Sequence, residues 1–182
     1  NALFRHHCIS CHCAILAVLD SSLATLHFAR QSNVQNFDPN DNSWTPIGTV
    51  GAPTNIEDYT MVKGGDRIVV WGGRDNRGNS YNLKDMSWTE IPSSFLPPFL
   101  KQHAAVWAEN QMLVFGGLNP ADGSYTNAAF SQKNDSPPTS LFTDHVPRAR
   151  AGHTAIWTGL EMVIYGGRGT NQAGVSIPLA EG

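Results

Sequence analysis

The stretch Arg150-Ala-Gly-His153-Thr-Ala-Ile-Trp157-Thr-Gly-Leu-Glu161-Met-Val-Ile-Tyr165-Gly166-Gly167 decides the fold. It reads as two short apolar strands around a polar turn, closed by paired glycines. Two upstream stretches repeat it. One runs Gln102-His103-Ala-Ala-Val-Trp107-Ala-Glu-Asn-Gln111-Met-Leu-Val-Phe115-Gly116-Gly117. The other runs Asp58-Tyr59-Thr-Met-Val-Lys63-Gly-Gly-Asp-Arg67-Ile-Val-Val-Trp71-Gly72-Gly73. In each, the diglycine begins 13 residues after the matching His or Tyr: 153 to 166, 103 to 116, 59 to 72.

A second landmark keeps the same period. Asn33-Val-Gln-Asn-Phe37-Asp-Pro-Asn-Asp-Asn-Ser-Trp44-Thr-Pro-Ile47 reads as strand, turn, strand, with turn-forming Asp38, Pro39, Asn40, Asp41 and Asn42 between the two. Asn79 to Ile91 repeats the pattern, with Tyr81 and Trp88 in the places of Phe37 and Trp44. Trp44 to Trp88 is 44 residues, as is Gly72 to Gly116. The next unit is longer, 50 residues from Gly116 to Gly166, and Pro137 stands where the Trp is expected. Proline cannot donate to a ladder, so its outer strand is expected to be short, at an edge, or absent. The last unit begins a third strand near residues 171–178 and ends before any Trp strand.

Composition agrees with short strands and many turns. Charged residues make up 15% and aromatics 9%, with 17 Gly and 11 Pro. That excludes a disordered chain or a long helical bundle. The net charge is −3 and the 12 basic residues form no stripe, so nothing favours nucleic acid. No apolar run is long enough for a stable membrane span.

A diglycine after an apolar strand, then Tyr or Phe, then Trp, in units of this length, resembles the Kelch repeat. The landmarks are Phe37 and Trp44; Gly72, Gly73, Tyr81 and Trp88; Gly116 and Gly117; His153, Trp157, Gly166 and Gly167. Residues 33–178 carry the resemblance, in the style of secreted bacterial Kelch proteins. It implies an all-β fold: a partial Kelch β-propeller of four-stranded antiparallel blades, spanning 33–182. About three blades are recognisable, with a detached outer strand pair at 33–47. Trp44 and Trp88 are expected to pack between blades. Propellers usually have at least about four blades, so the chain reads as an arc of a larger ring, a fragment, unless residues 1–32 supply what is missing.

Residues 1–32 stand outside the repeat. Arg5-His6-His7, an apolar run to Leu19 and a small-x-small site ending at Ala24 resemble an export signal, for a secreted or periplasmic protein. The alternative is an apolar helix or a poorly specified end. Cys8, Cys11 and His12 also match the C-x-x-C-H haem-attachment pattern. Zinc on Cys8, Cys11, Cys13 and a His would lack the usual second ligand pair.

The resemblance implies a protein- or glycan-binding scaffold acting through its blade loops. Candidate loops are the hairpin tips 64–66, 108–110 and 158–160 and the connectors 74–79 and 118–127. Candidate binding residues are Tyr59, His103 and His153, equivalent positions on three first strands, with Arg150 beside them. The alternative is part of a propeller enzyme acting on sugars, since Kelch-like proteins include copper oxidases and sialic acid isomerases. Copper would need clustered His and Tyr ligands, for which Tyr59, His103 and His153 are the candidates. No nucleophile–base–orienter set is visible.

Overall fold

The computed structural model describes residues 35–53, 57–72, 77–92, 99–133, 136–141 and 144–180. The candidate export signal and the Cys8, Cys11, His12 and Cys13 patterns lie outside them. All regular structure in these residues is strand, and each expected hairpin forms.

β1 (Gln35–Asp38) pairs with β2 (Ser43–Pro46). The first full blade is β3 (Tyr59–Gly64), β4 (Arg67–Gly72), β5 (Arg77–Asn82) and β6 (Ser87–Ile91), antiparallel in chain order. The second is β7 (Ala104–Ala108), β8 (Gln111–Leu118), β9 (Tyr125–Lys133) and β10 (Thr139–Leu141). β10 is three residues long and sits at the sheet edge just after Pro137 and Pro138, as their missing N–H groups require. The third unit holds β11 (Thr154–Trp157) with β12 (Met162–Tyr165), and β13 (Arg168–Thr170) with β14 (Ser176–Pro178). β14 is the start of a third strand.

The detached pair is built like an outer pair. Phe37 lies opposite Trp44 with ring centroids 4.8 Å apart and planes at 41°. Tyr81 lies opposite Trp88 at 4.9 Å and 47°. The turns match as well. Ser43 bonds Asp41 and Ser87 bonds Asp85, and Asn42 and Met86 sit at φ 59 and 57. Local sequence alone dictates this, because Asx-type side chains bond the backbone two residues on.

Blades pack through alternate residues of their strands. Val62 and Val69 are register partners and Trp71 shares their face. They meet Met112, Val114 and Phe130 of the second blade in one buried cluster, with Ala105, Trp107 and Ala128 against it. Strand β7 lies beside both β3 and β11, so the three innermost strands follow one another around an axis.

Trp88 does not occupy the inter-blade position expected of it. Trp88 is half-buried, donates from Nε1 to the Gly48 carbonyl at 2.9 Å, and packs its Cβ beside Gly51. It therefore closes on the segment leading out of β2 rather than on a neighbouring sheet. The tryptophans between blades are Trp71 and, at the tip end, Trp107. The Trp107 indole covers the backbone of Gly64 so closely that a Cβ there would fall inside the ring.

The diglycines follow from the same close approach. A Cβ on Gly72 would lie 2.8 Å from the His103 ring, and one on Gly116 would lie 2.9 Å from the His153 ring. The first glycine thus receives the imidazole of the next blade. A Cβ on Gly167 would lie 2.7 Å from the Ala151 carbonyl and 2.9 Å from the His153 Cβ, both within its own unit. Gly116 and Gly117 also take φ of 67 and 121, which side chains with a Cβ avoid.

Candidate functional site

The antiparallel hairpins divide the molecule into two ends. At one end the first strands begin and the diglycines close the second strands. At the other end lie the hairpin tips. Tyr59, His103, His153 and Arg150 are at the first end.

His103 is buried. Its Nδ1 lies 3.1 Å from the Leu100 carbonyl, which can only accept, so Nδ1 carries the proton. Its Nε2 lies 3.1 Å from the Thr60 hydroxyl of the preceding blade. Burial lowers its pKa below the ordinary value. His153 is buried with its ring edge against Phe115, centroids 5.6 Å apart. Neither of its nitrogens finds a hydrogen-bond partner in the structure. Burial, then the Arg150 charge, then His103, bring its pKa down to about 4. Arg150 is also buried. Its Nη1 donates to the Gly166 carbonyl at 3.1 Å and its Nε to the Arg148 carbonyl at 3.1 Å. Its own carbonyl accepts from the Gly117 N–H at 2.8 Å. Tyr59 opens β3 opposite Gly72, the glycine that also receives His103.

The structure thus brings Tyr59 and His103 to one glycine, and sets His153 and Arg150 at the next repeat of the same junction. Both His103 nitrogens are engaged, one with the Leu100 carbonyl and the other with the Thr60 hydroxyl. Among the described residues no three His, Cys, Asp or Glu gather as a metal site would require.

A concave surface lies at the tip end. A groove of about 400 Å³ runs between the tips of the first two blades. Gly64, Gly65, Asp66 and Arg67 form one wall, Trp107, Glu109 and Asn110 the other, and Asn82 and Lys84 close the outer side. Two of the expected hairpin tips, 64–66 and 108–110, therefore meet at one site. Each wall is held locally. Trp107 Nε1 donates to the Glu109 carbonyl at 2.8 Å, fixing the indole against its own turn. Lys84 pairs with Asp66 at 2.6 Å, and Leu83 N–H bonds the Asp66 carbonyl at 2.8 Å. Lys84 and Asp66 hold each other charged: the hydrogen bond and the charge of Lys84 lower the Asp66 pKa, and those of Asp66 raise that of Lys84. Both are exposed, so the pair orders the rim more than it stabilises the fold.

The sequence points to both tips but not to Trp107 or Lys84 as site residues. A signal for Trp107 was present: a Trp near the end of one first strand, with Gly64 near the end of the preceding one.

Four-stranded antiparallel sheets set in sequence around an axis define an arc of a β-propeller. A family model for the Kelch-repeats domain of KLHDC2, KLHL20 and DRC7 matches residues 24–174, so the chain belongs to the Kelch-repeat family. Among solved structures, "Structure of YjhT" is similar, with a TM-score of 0.57 and 20% sequence identity. The alignment covers 64% of this chain and 36% of that one, so this chain spans about a third of that protein's length. Likeness at this identity speaks to the fold alone. No curated protein matches the chain by sequence.

Proposed function

We propose that this chain is a protein-binding scaffold module whose partner docks at the groove between the first two blade tips. The groove itself carries the reading. It is concave, framed by short hairpins on rigid sheets, and lined by an indole, two carboxylates, two cations and two amides. An aromatic anchor with a mixed polar rim is the composition of a protein-recognition surface.

A glycan is the second reading, favoured by the half-buried Trp107 flanked by Asn82, Asn110 and Asp66. An indole face suits the C–H face of a sugar, and the amides and carboxylate suit its hydroxyls.

The experiment compares the parent chain with Lys84→Ala and Asn110→Ala, two rim changes that leave the sheets intact. Both are screened for captured proteins and on a glycan array. The expected result is a protein ligand whose affinity falls at least tenfold in either variant. Retention only by glycans would select the second reading. Ligands that bind both variants like the parent would place the site elsewhere.

A further inference from the structure

One tip of the groove is built against the preference of its own backbone. Gly65, Glu109 and Gly159 stand at the same repeat position, 44 and 50 residues apart. All three take positive φ, 57, 53 and 103. The space around the two glycines is open, because a Cβ on either would meet nothing within 4 Å. Glycine at this position therefore answers to φ alone, and a residue with a Cβ carries a backbone cost there. The second blade carries that cost and places a carboxylate at the tip.

The local structure makes no use of that carboxylate. Glu109 is exposed and lines the groove. Its backbone carbonyl accepts from Trp107 Nε1 at 2.8 Å, a bond that any residue could supply. Among the described residues its side chain enters no ion pair and no hydrogen bond. The cations of the opposite wall are occupied. Lys84 is held by Asp66 at 2.6 Å, Lys63 donates to the Gly65 carbonyl at 3.2 Å, and Arg67 is likewise engaged. The unmatched charge of the groove is thus the Glu109 carboxylate. It stands beside an indole whose one N–H is already bonded, so that the ring itself is what Trp107 offers a partner. Backbone strain kept where it serves no packing is a mark of a ligand clamp.

We propose that Glu109 is the specificity-determining residue of the groove, and that what it selects is a basic side chain, Lys or Arg, of the docking protein. This rests on the reading of the groove as the docking site. The incoming cation lies against the Trp107 ring and bonds the Glu109 carboxylate. A ring face and a carboxylate both attract a cation, so together they favour it over an uncharged side chain of the same length. Lys84 and Arg67 repel a cation set nearer the first wall, which fixes its place on the Glu109 side.

The test uses the full chain and short capped peptides that differ only in a central residue, Lys, Arg, norleucine or Glu, set between glycines. NMR follows the indole N–H of Trp107 and the backbone amides of Gly65 and Asn110. The Lys and Arg peptides should shift these signals, and the norleucine and Glu peptides should not. Added salt should weaken the shifts, because the site is exposed. Glu109→Gln keeps the backbone cost and removes the charge. It should melt like the parent and bind the Lys peptide about three- to fivefold more weakly, as loss of an exposed ion pair implies. Glu109→Gly should weaken the Lys peptide as well but raise Tm, since it removes the strain. A lower Tm for Glu109→Gly would give the side chain a structural role and overturn the proposal, as would unchanged Lys binding in Glu109→Gln. Shifts of equal size with the norleucine or Glu peptide would overturn it too, while leaving the groove as a docking site for another class of partner. No shift with any of the four would remove the groove itself as a docking site.

Discussion

His153 shows most clearly how one residue couples the fold to solution conditions. Its ring is buried, lies against Phe115, and has a pKa of about 4 against the ordinary 6.5. Between those two values the unfolded chain binds the proton and the folded chain does not. Stability therefore rises with pH across that window and is lost as pH falls through it. The shift corresponds to an upper limit of about 3 kcal/mol once the window is crossed. Urea unfolding of the parent between pH 7 and pH 4 should show this loss. His153→Phe, which keeps a ring on Phe115 without a titrating group, should show a smaller one. Equal pH slopes for parent and variant would mean that His153 is not neutral and buried in solution.

At the scale of elements, one contact that joins the first two blades is a tryptophan lying on a glycine. Gly64 closes β3 outside the left-handed region, so its constraint is the Trp107 ring above it rather than backbone conformation. Gly64→Ala should cost on the order of 1–3 kcal/mol, as overpacking of a filled interior does. In a Trp107→Ala background the same change should cost little, because the atoms it collides with are gone. A double-mutant cycle measures the difference. An undiminished cost in that background would place the strain in β3 itself. Trp88 makes the contrast. It carries the repeat landmark but is half-buried on the Gly48–Gly51 segment, so its truncation removes less packing than loss of the buried Trp71 would.

At the scale of the molecule, blade stability is a sum of intrinsic terms and nearest-neighbour interfaces. The first two blades share a well-filled interface, and the third offers its outer face to solvent. Any association through that face would make stability depend on protein concentration. Thermal melting over a hundredfold dilution would then show a falling Tm for the parent and a constant, lower Tm for Ile156→Glu. Identical midpoints at all dilutions for the parent would show that the open face contributes nothing to its stability. Salt should change the parent's behaviour little, because Ile156, Val163 and Tyr165 are uncharged and screening acts on charges.

The strands, the turns and the repeat were legible in the sequence because each is made from neighbours in the chain. Asp41 bonds Ser43, Val62 faces Val69 across a two-residue tip, and alternation assigns residues to faces. The candidate ring residues were legible as equivalent positions, but not their roles. That His103 is neutral and held by Leu100 and Thr60, that Arg150 spends its guanidinium on backbone carbonyls, and that Trp107 rather than Trp88 lies between blades were decided only by tertiary structure. So was the groove, which exists where residues 64–67 and 107–110 meet. The Thr60–His103 and Gly64–Trp107 contacts join residues roughly one repeat apart, and their geometry depends on how one twisted sheet is set against the next. The sequence by itself determined what each blade is made of. The angle and distance between blades, which follow from packing across the repeat, determined what the side chains do there.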